Sequence, residues 1–185
     1  AKMHLQHIST KGSVDFIRTG KHNNPNLTCG VSIVNLILDE SEMVSYDTNL
    51  KVNPPLRSKN DIEALIEAIN DDTIDIIISD HQPHSLNEKE VELENAPYGI
   101  IGLETTLGLV LTHLVHTKKV SLEKVIEKMS ITPREILGLP QIIIDEGNQA
   151  NLSIFNLNEE WTVDHNTHKS ESTNTPFIGY SLKGK

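Results

Sequence analysis

The sequence contains a single cysteine, Cys29, which excludes an internal disulfide framework and a cysteine-based zinc site. It has no apolar stretch near the roughly 20 residues of a membrane span, and no signal-peptide pattern. It begins Ala-Lys-Met-His, directly in a strand-like pattern, and a start with neither initiator Met nor leading loop is expected of a fragment or processed product. It is also short of basic residues. Lys and Arg number 16 against 26 Asp and Glu, and the net charge of -10 argues against a nucleic-acid surface, which needs clustered cations. Long polar tracts are missing too, and 37% hydrophobic with 23% charged residues is globular composition. One cysteine and no secretory signal fit a reducing cytoplasm.

What is present is alternation. Three apolar runs read as buried strands: Met3 to Ile8, Leu27 to Ile33, and Ile74 to Ile78. The last is β-branched and almost continuous, as expected of a strand covered on both faces. A weaker fourth strand falls at Leu50 to Val52, before Pro54-Pro55. Helical patterns lie between and after them. Ser58 to Asn70 places Ile62, Leu65, Ile66 and Ile69 on one face, with Ser58 and Asp61 at capping-box spacing. Glu104 to His116 and Ser121 to Met129 read as buried helices. Thr132-Pro133-Arg134-Glu135 is a helix start, with Thr132 as cap and Gly138 as stop. Strands alternating with helices predict βα units around a parallel sheet, an α/β fold. Beyond Pro140 the pattern shifts to short strand-like pieces at Ile142 to Ile144, Asn151 to Phe155 and Trp161 to Val163. The expected division is therefore 1–140 as the βα domain and 141–185 as a small β appendage.

Four clusters can carry chemistry: His7 at a strand end, Lys51-Val-Asn-Pro-Pro-Leu-Arg57, Ser79-Asp-His-Gln-Pro-His84 after the third strand, and Ala96-Pro-Tyr-Gly99 before a helix. In a βα barrel the carboxyl ends of the strands face the active site, and His7 and Asp80 both fall there. An imidazole and a carboxylate suit zinc, and an Asp beside an activated water can take its proton. Structural explanations stand beside these. A strand-end His is often only hydrogen-bonded, an Asp there can be a turn or cap, and Asn53-Pro54-Pro55 can be a rigid turn with Arg57 on the surface. Cys29 fits a small buried hydrophobe, His4, His22, His113 and His116 read as ordinary, and Trp161 packs the appendage.

Taken together the clusters resemble the dihydroorotase family of cyclic amidohydrolases. The resemblance rests on His7-Ile-Ser-Thr-Lys, Val52-Asn-Pro-Pro-Leu-Arg57, Ser79-Asp-His-Gln-Pro-His84, Glu88-Lys89, Ala96-Pro-Tyr-Gly-Ile100, Gly102-Leu-Glu-Thr105 and Asn174-Thr-Pro-Phe-Ile-Gly179, all in the family's order. Asn53 before the Pro-Pro pair favours dihydroorotase over hydantoinases and allantoinases, which usually carry Ser. The resemblance implies the C-terminal half of a (βα)8 TIM-type metal-dependent hydrolase barrel plus the β appendage. It implies His7 as a zinc ligand at the end of the fifth barrel strand and Asp80 as ligand and general acid/base at the end of the eighth. It implies that Asn53 and His84 hold the substrate, His84 at its carboxylate, while Tyr98 and Gly99 contact the ring through backbone groups. The reaction implied is reversible hydrolysis of dihydroorotate to N-carbamoyl-aspartate, with one or two zinc ions in the whole enzyme.

Two departures accompany the match. The family's His-x-His pair and its mid-barrel carboxylated Lys or Asp precede the matched region and lie outside this chain. Half a barrel would expose its inner side chains, so this chain alone is expected to be inactive and to self-associate as a homo-oligomer. Within the matched region, Val34 and Asn35 stand where the family usually has a His or His-His that supplies another zinc ligand. Val34 favours a second reading, a scaffold that has lost catalysis and binds aspartate carbamoyltransferase. A third is another cyclic amidohydrolase of the same architecture.

Overall fold

The computed structural model describes residues 1–185. Its centre is a parallel three-stranded sheet in the order β1 (Met3–Leu5), β2 (Leu27–Ser32), β3 (Ile76–Ile78). β2 is the middle strand. Met3, His4 and Leu5 register with Leu27, Thr28 and Cys29 on one side, and Gly30, Val31 and Ser32 with Ile76, Ile77 and Ile78 on the other. The three strands form at the three strong apolar runs, but β1 and β3 are shorter than their runs. The weak run at Leu50 to Val52 forms no strand. It ends a 3-10 turn, Thr48–Leu50, and Lys51 gives its carbonyl to Gly99 N–H instead of to a ladder.

Helix α1 (Lys11–Asn23) connects β1 to β2. The sequence reading missed it because its apolar stripe is thin: only Val14 and Ile17 are buried, Phe16 faces outward, and Gly12 and Gly20 interrupt it. Gly20 has a packing reason, since a Cβ there would lie 2.8 Å from Leu27 Cδ2. Thr10 caps the helix by accepting from Ser13 N–H. Between β2 and β3 run a short α2 (Val34–Ile37) and α3 (Lys59–Asn70). The expected cap of α3 is present, with Ser58 Oγ accepting from Asp61 N–H and donating to Asp61 Oδ2 at 2.6 Å.

After β3, α4 (Leu86–Lys89) precedes a long loop. Then α5 (Thr106–Val110) continues as a π-helix through Val115, and α6 (Leu122–Ile126) continues as a π-helix into α7 (Thr132–Ile136). Thr132 has helical backbone within this continuous run, so it is not the cap expected of it; Ser121 caps instead, accepting from Lys124 N–H. Gly138 stops the run at φ +66.

Past residue 140, Ile142 to Ile144 and Asn151 to Phe155 form no strand. The small sheet is β4 (Glu160–Thr162) paired antiparallel with β5 (Ser181–Lys183), and Trp161 Nε1 donates to the Gly184 carbonyl. Val163, Phe177 and Leu182 share one hydrophobic cluster with Leu109, Val110 and Leu114, so these residues pack on α5 and its π-helical extension. Cys29 lies in the same core as a free thiol. Burial, aided by the charge of Asp75, pushes its pKa up to about 11, as suits an inert packing residue.

At the amino ends of the strands the elements are tied by ions. Lys21 Nζ lies 2.8 Å from Asp75 Oδ1, and Arg18 meets Asp71 at 2.6 Å. Asp72 sits at φ +65 between the ammonium groups of Lys124 and the almost fully buried Lys128, at 2.8 and 2.7 Å. Partial burial pushes the Asp72 carboxyl up, but the hydrogen bonds and charges of the two lysines outweigh it and hold it below the ordinary value. A depressed folded-state pKa contributes stability above the unfolded value of about 3.9, which is lost as pH falls through the folded pKa. Asp72→Asn is therefore expected to flatten the fall of melting temperature below about pH 4, checked by thermal scans from neutral to acid. Asn tolerates the left-handed backbone, so strain does not confound the comparison.

Candidate active site

Both strand ends that face the site break in the same way. β1 ends at Leu5 and β3 at Ile78, and two residues beyond each stands a non-glycine residue with left-handed backbone: His7 at φ 61 and Asp80 at φ 51. Such backbone costs an L-residue roughly 1–2 kcal/mol, and unusual backbone of this kind clusters at functional sites. Past the first kink Ile8 N–H donates to the Gly30 carbonyl, and just before the second the Ile78 carbonyl accepts from Ile33 N–H. The result aims the two side chains at each other, with His7 Nδ1 3.6 Å from Asp80 Oδ2.

The electrostatics of the pair are open on the facing side. His7 Nδ1 is buried and has no hydrogen-bond partner. Asp80 Oδ1 accepts from Gln82 Nε2 at 2.8 Å, which orients the carboxylate and leaves Oδ2 toward His7. An orphaned imidazole nitrogen opposite a carboxylate oxygen fits two donors of a metal site. The chain holds no group of three or more His, Cys, Asp or Glu that could bind an ion. The nearby candidates are not donors: Val34 is buried in the hydrophobic cluster, and Asn35 is buried with its Nδ2 on the Pro55 carbonyl at 3.4 Å.

The expected substrate residues lie on two loops that are closed onto each other. Asn53 is exposed in the Asn53-Pro54-Pro55 turn. His84 Nε2 donates to the Tyr98 carbonyl at 2.8 Å, which leaves Nδ1 on the side of Glu88, 4.0 Å away. Glu88 is itself held by Ser85, whose hydroxyl and N–H keep its carboxyl below the ordinary value. The Tyr98 ring is exposed, with Lys51 Nζ 4.8 Å from its centroid. Gly99 has both backbone groups engaged: N–H to the Lys51 carbonyl at 2.9 Å, and carbonyl from Asn174 Nδ2 at 3.2 Å. At φ +118, a Cβ on Gly99 would lie 2.5 Å from Gln82 Cβ, so only glycine brings this loop so close to the residue that orients Asp80.

Several residues that position these groups were not singled out from the sequence. His81 Nδ1 accepts from both Gly102 and Leu103 N–H, which leaves its proton on Nε2. Buried Lys89 donates to the Thr48 and Pro97 carbonyls, and Lys51 Nζ to those of Leu93 and Glu94, so two lysines stitch the loops together. His81 and Lys89 lie within quoted motifs, but nothing in their spacing tells a stitch from a ligand. A cleft of about 500 Å³, lined by Leu36, Ile62, Ile66 and His113 among others, includes neither residue of the pair.

A parallel βα sheet that presents a His and an Asp just past its strand ends has the layout of α/β enzymes that work at the carboxyl edge of the sheet. The Amidohydrolase family model matches residues 2–183, and the chain belongs to that family. It is 46% identical over 185 residues to a protein named dihydroorotase from Clostridioides difficile, and 44% over 183 residues to one from a Thermoanaerobacter species. These alignments cover 100% and 99% of this chain but 44% and 42% of those proteins, so the chain spans less than half their length. Among solved structures it superposes on the L-hydantoinase of Arthrobacter aurescens at TM-score 0.88 and 28% identity, covering all of this chain and 42% of that one. It also superposes, at TM-score 0.69 and 22% identity, on an inactive dihydroorotase-like domain of a Chaetomium thermophilum multifunctional protein, covering 99% of this chain and 47% of that one.

Gly99→Ala is expected to destabilise the chain by about 1 kcal/mol or more, read as a lower urea midpoint with unchanged slope. A midpoint equal to the parent's would mean that the loop can move off Gln82 without cost.

Proposed function

We propose that this chain carries the C-terminal part of a dihydroorotase active site, on half of a (βα)8 barrel with the 141–185 segment as its β appendage. The observation that carries the reading is the His7–Asp80 pair, with its orphaned nitrogen and singly bonded carboxylate. The names of the relatives at 44–46% identity support the substrate, dihydroorotate; the setting proposed with it is pyrimidine synthesis in the cytoplasm. The cofactor proposed is zinc, with His7 Nδ1 and Asp80 as two of its ligands and the others from outside this chain. When bound, zinc would polarise the ring carbonyl and acidify water.

The residues of this chain do the rest. Hydrolysis adds water to the carbonyl carbon, breaks the ring C–N bond and leaves a proton to be placed on nitrogen. Asp80 Oδ2, free of hydrogen bonds from Gln82, takes the proton released by the attacking water and returns it to the leaving nitrogen. Gln82 holds the carboxylate in the orientation both transfers need. Asn53, exposed and on its own turn, binds the ring amide, and His84 stands at the substrate carboxylate. Tyr98 and Gly99 form the wall beneath, their carbonyls retaining a second lone pair for the ring N–H.

Val34 favours one other reading, a scaffold without turnover that docks aspartate carbamoyltransferase, because an apolar side chain in the core replaces an imidazole donor. Activity separates the two.

In the complete natural protein with zinc, Asp80→Ala is expected to lower kcat for dihydroorotate by about a hundredfold or more without loss of fold. Unchanged turnover would remove Asp80 from the chemistry. His7→Ala is expected to lower the zinc retained after dialysis, measured by metal analysis. Asn53→Ala and His84→Ala are expected to raise KM about tenfold or more each, and parental kinetics would make them structural.

A further inference from the structure

The geometry points to Asn174 as a positioning residue for the substrate loops, a role that rests on the reading of that site given above. Asn174 lies in the C-terminal segment, 90 residues from His84 in sequence, and it is 4% exposed. Every hydrogen-bonding group of its side chain is used, and each bond goes to a loop that carries a substrate residue. Its side-chain carbonyl accepts from His84 N–H at 3.1 Å. Its amide donates to the Gln82 carbonyl at 2.9 Å and to the Gly99 carbonyl at 3.2 Å. Its backbone carbonyl accepts from Ile101 N–H at 3.0 Å. One side chain thus ties the loop from Gln82 to His84 to the loop from Tyr98 to Ile101.

Other ties join the same loops, His84 Nε2 to the Tyr98 carbonyl at 2.8 Å and Gly102 and Leu103 N–H to His81 Nδ1, but only Asn174 bonds both loops at once from outside them. A single parallel bridge joins His81 to Ile100, with Gln82 N–H on the Ile100 carbonyl at 2.7 Å. Asn174 extends that bridge, using three polar groups that a third strand would otherwise satisfy. It is itself anchored on both sides. Three residues on, Phe177 is fully buried and packs edge-on against Tyr180 at 5.4 Å. Upstream, Glu104 Oε1 accepts from Lys169 and Ser170 N–H, each at 3.0 Å. The chain past residue 140 therefore reaches back and sets where His84 and Gly99 stand. Asn174 touches neither His7 nor Asp80 among its hydrogen bonds, so its loss should weaken substrate binding more than chemistry.

Asn174→Asp keeps the size and the acceptor but turns the amide donor into an oxygen facing the Gln82 and Gly99 carbonyls. In the complete natural protein with zinc, the expected result is a KM for dihydroorotate raised about tenfold with kcat within about threefold of the parent. Amide hydrogen exchange should accelerate at 82–84 and 98–101 while strands β1 to β3 keep parental protection. Asn174→Ser, which loses the tie without adding charge, should show the same pattern more weakly, and it decides the matter if the Asp variant does not fold. Parental KM, a fall in kcat alone, or faster exchange spread across the whole chain would overturn the role. If the parent itself does not turn over dihydroorotate, the functional reading fails and exchange alone decides: acceleration confined to the two loops upholds the tie, and none refutes it.

Discussion

The arrangement depends on β2. As the middle strand of a parallel ladder it hydrogen-bonds β1 along one edge and β3 along the other, and register there fixes which strand ends come level. A shift of one residue on either edge would carry His7 or Asp80 to the wrong height and face. Gly30 marks the crossing point. A Cβ there would lie 2.0 Å from Gln6 Oε1 and 2.8 Å from Ile76 Cγ1, so its absence lets the residue before His7 and the head of β3 close over β2. The carboxylate–imidazole pair is thus a consequence of strand pairing and not of local sequence.

Two kinds of polar network divide the labour. At the amino ends, Lys21, Arg18, Lys124 and Lys128 meet Asp75, Asp71 and Asp72, close the helices onto the sheet and leave little unpaired. At the carboxyl ends the network is mostly side chain to backbone, through Lys51, Lys89, His81 and Asn174. Such bonds fix loop position, and His7 Nδ1 is among the buried side-chain atoms they leave without a partner. A buried nitrogen without a partner is costly, and a completing ligand removes that cost.

Val34, where the resemblance would place an imidazole, is a core residue. Its neighbour Asn35 is drawn to the Pro55 carbonyl, beside the turn that exposes Asn53. Asn35 thereby supports the Asn53-Pro54-Pro55 turn.

Much of this was legible in the sequence. Three apolar runs predicted the three strands, the third most plainly because it is β-branched and nearly continuous, and helix α3 announced itself by a full stripe and a capping serine. His7 and Asp80 could be named because each follows an apolar run. Helix α1 could not, because two buried residues make too thin a stripe, and the runs at Ile142 and Asn151 read as strands because β propensity needs a partner that these residues lack here. The sequence by itself determined the alternating elements and the strand-end residues, since these follow from side-chain type and period. Only tertiary structure decided that both strand ends turn left-handed toward each other, that Gly99 must have no side chain beside Gln82, and that Asn174 holds two loops from far along the chain. Those contacts join residues whose separation carries no periodic signal.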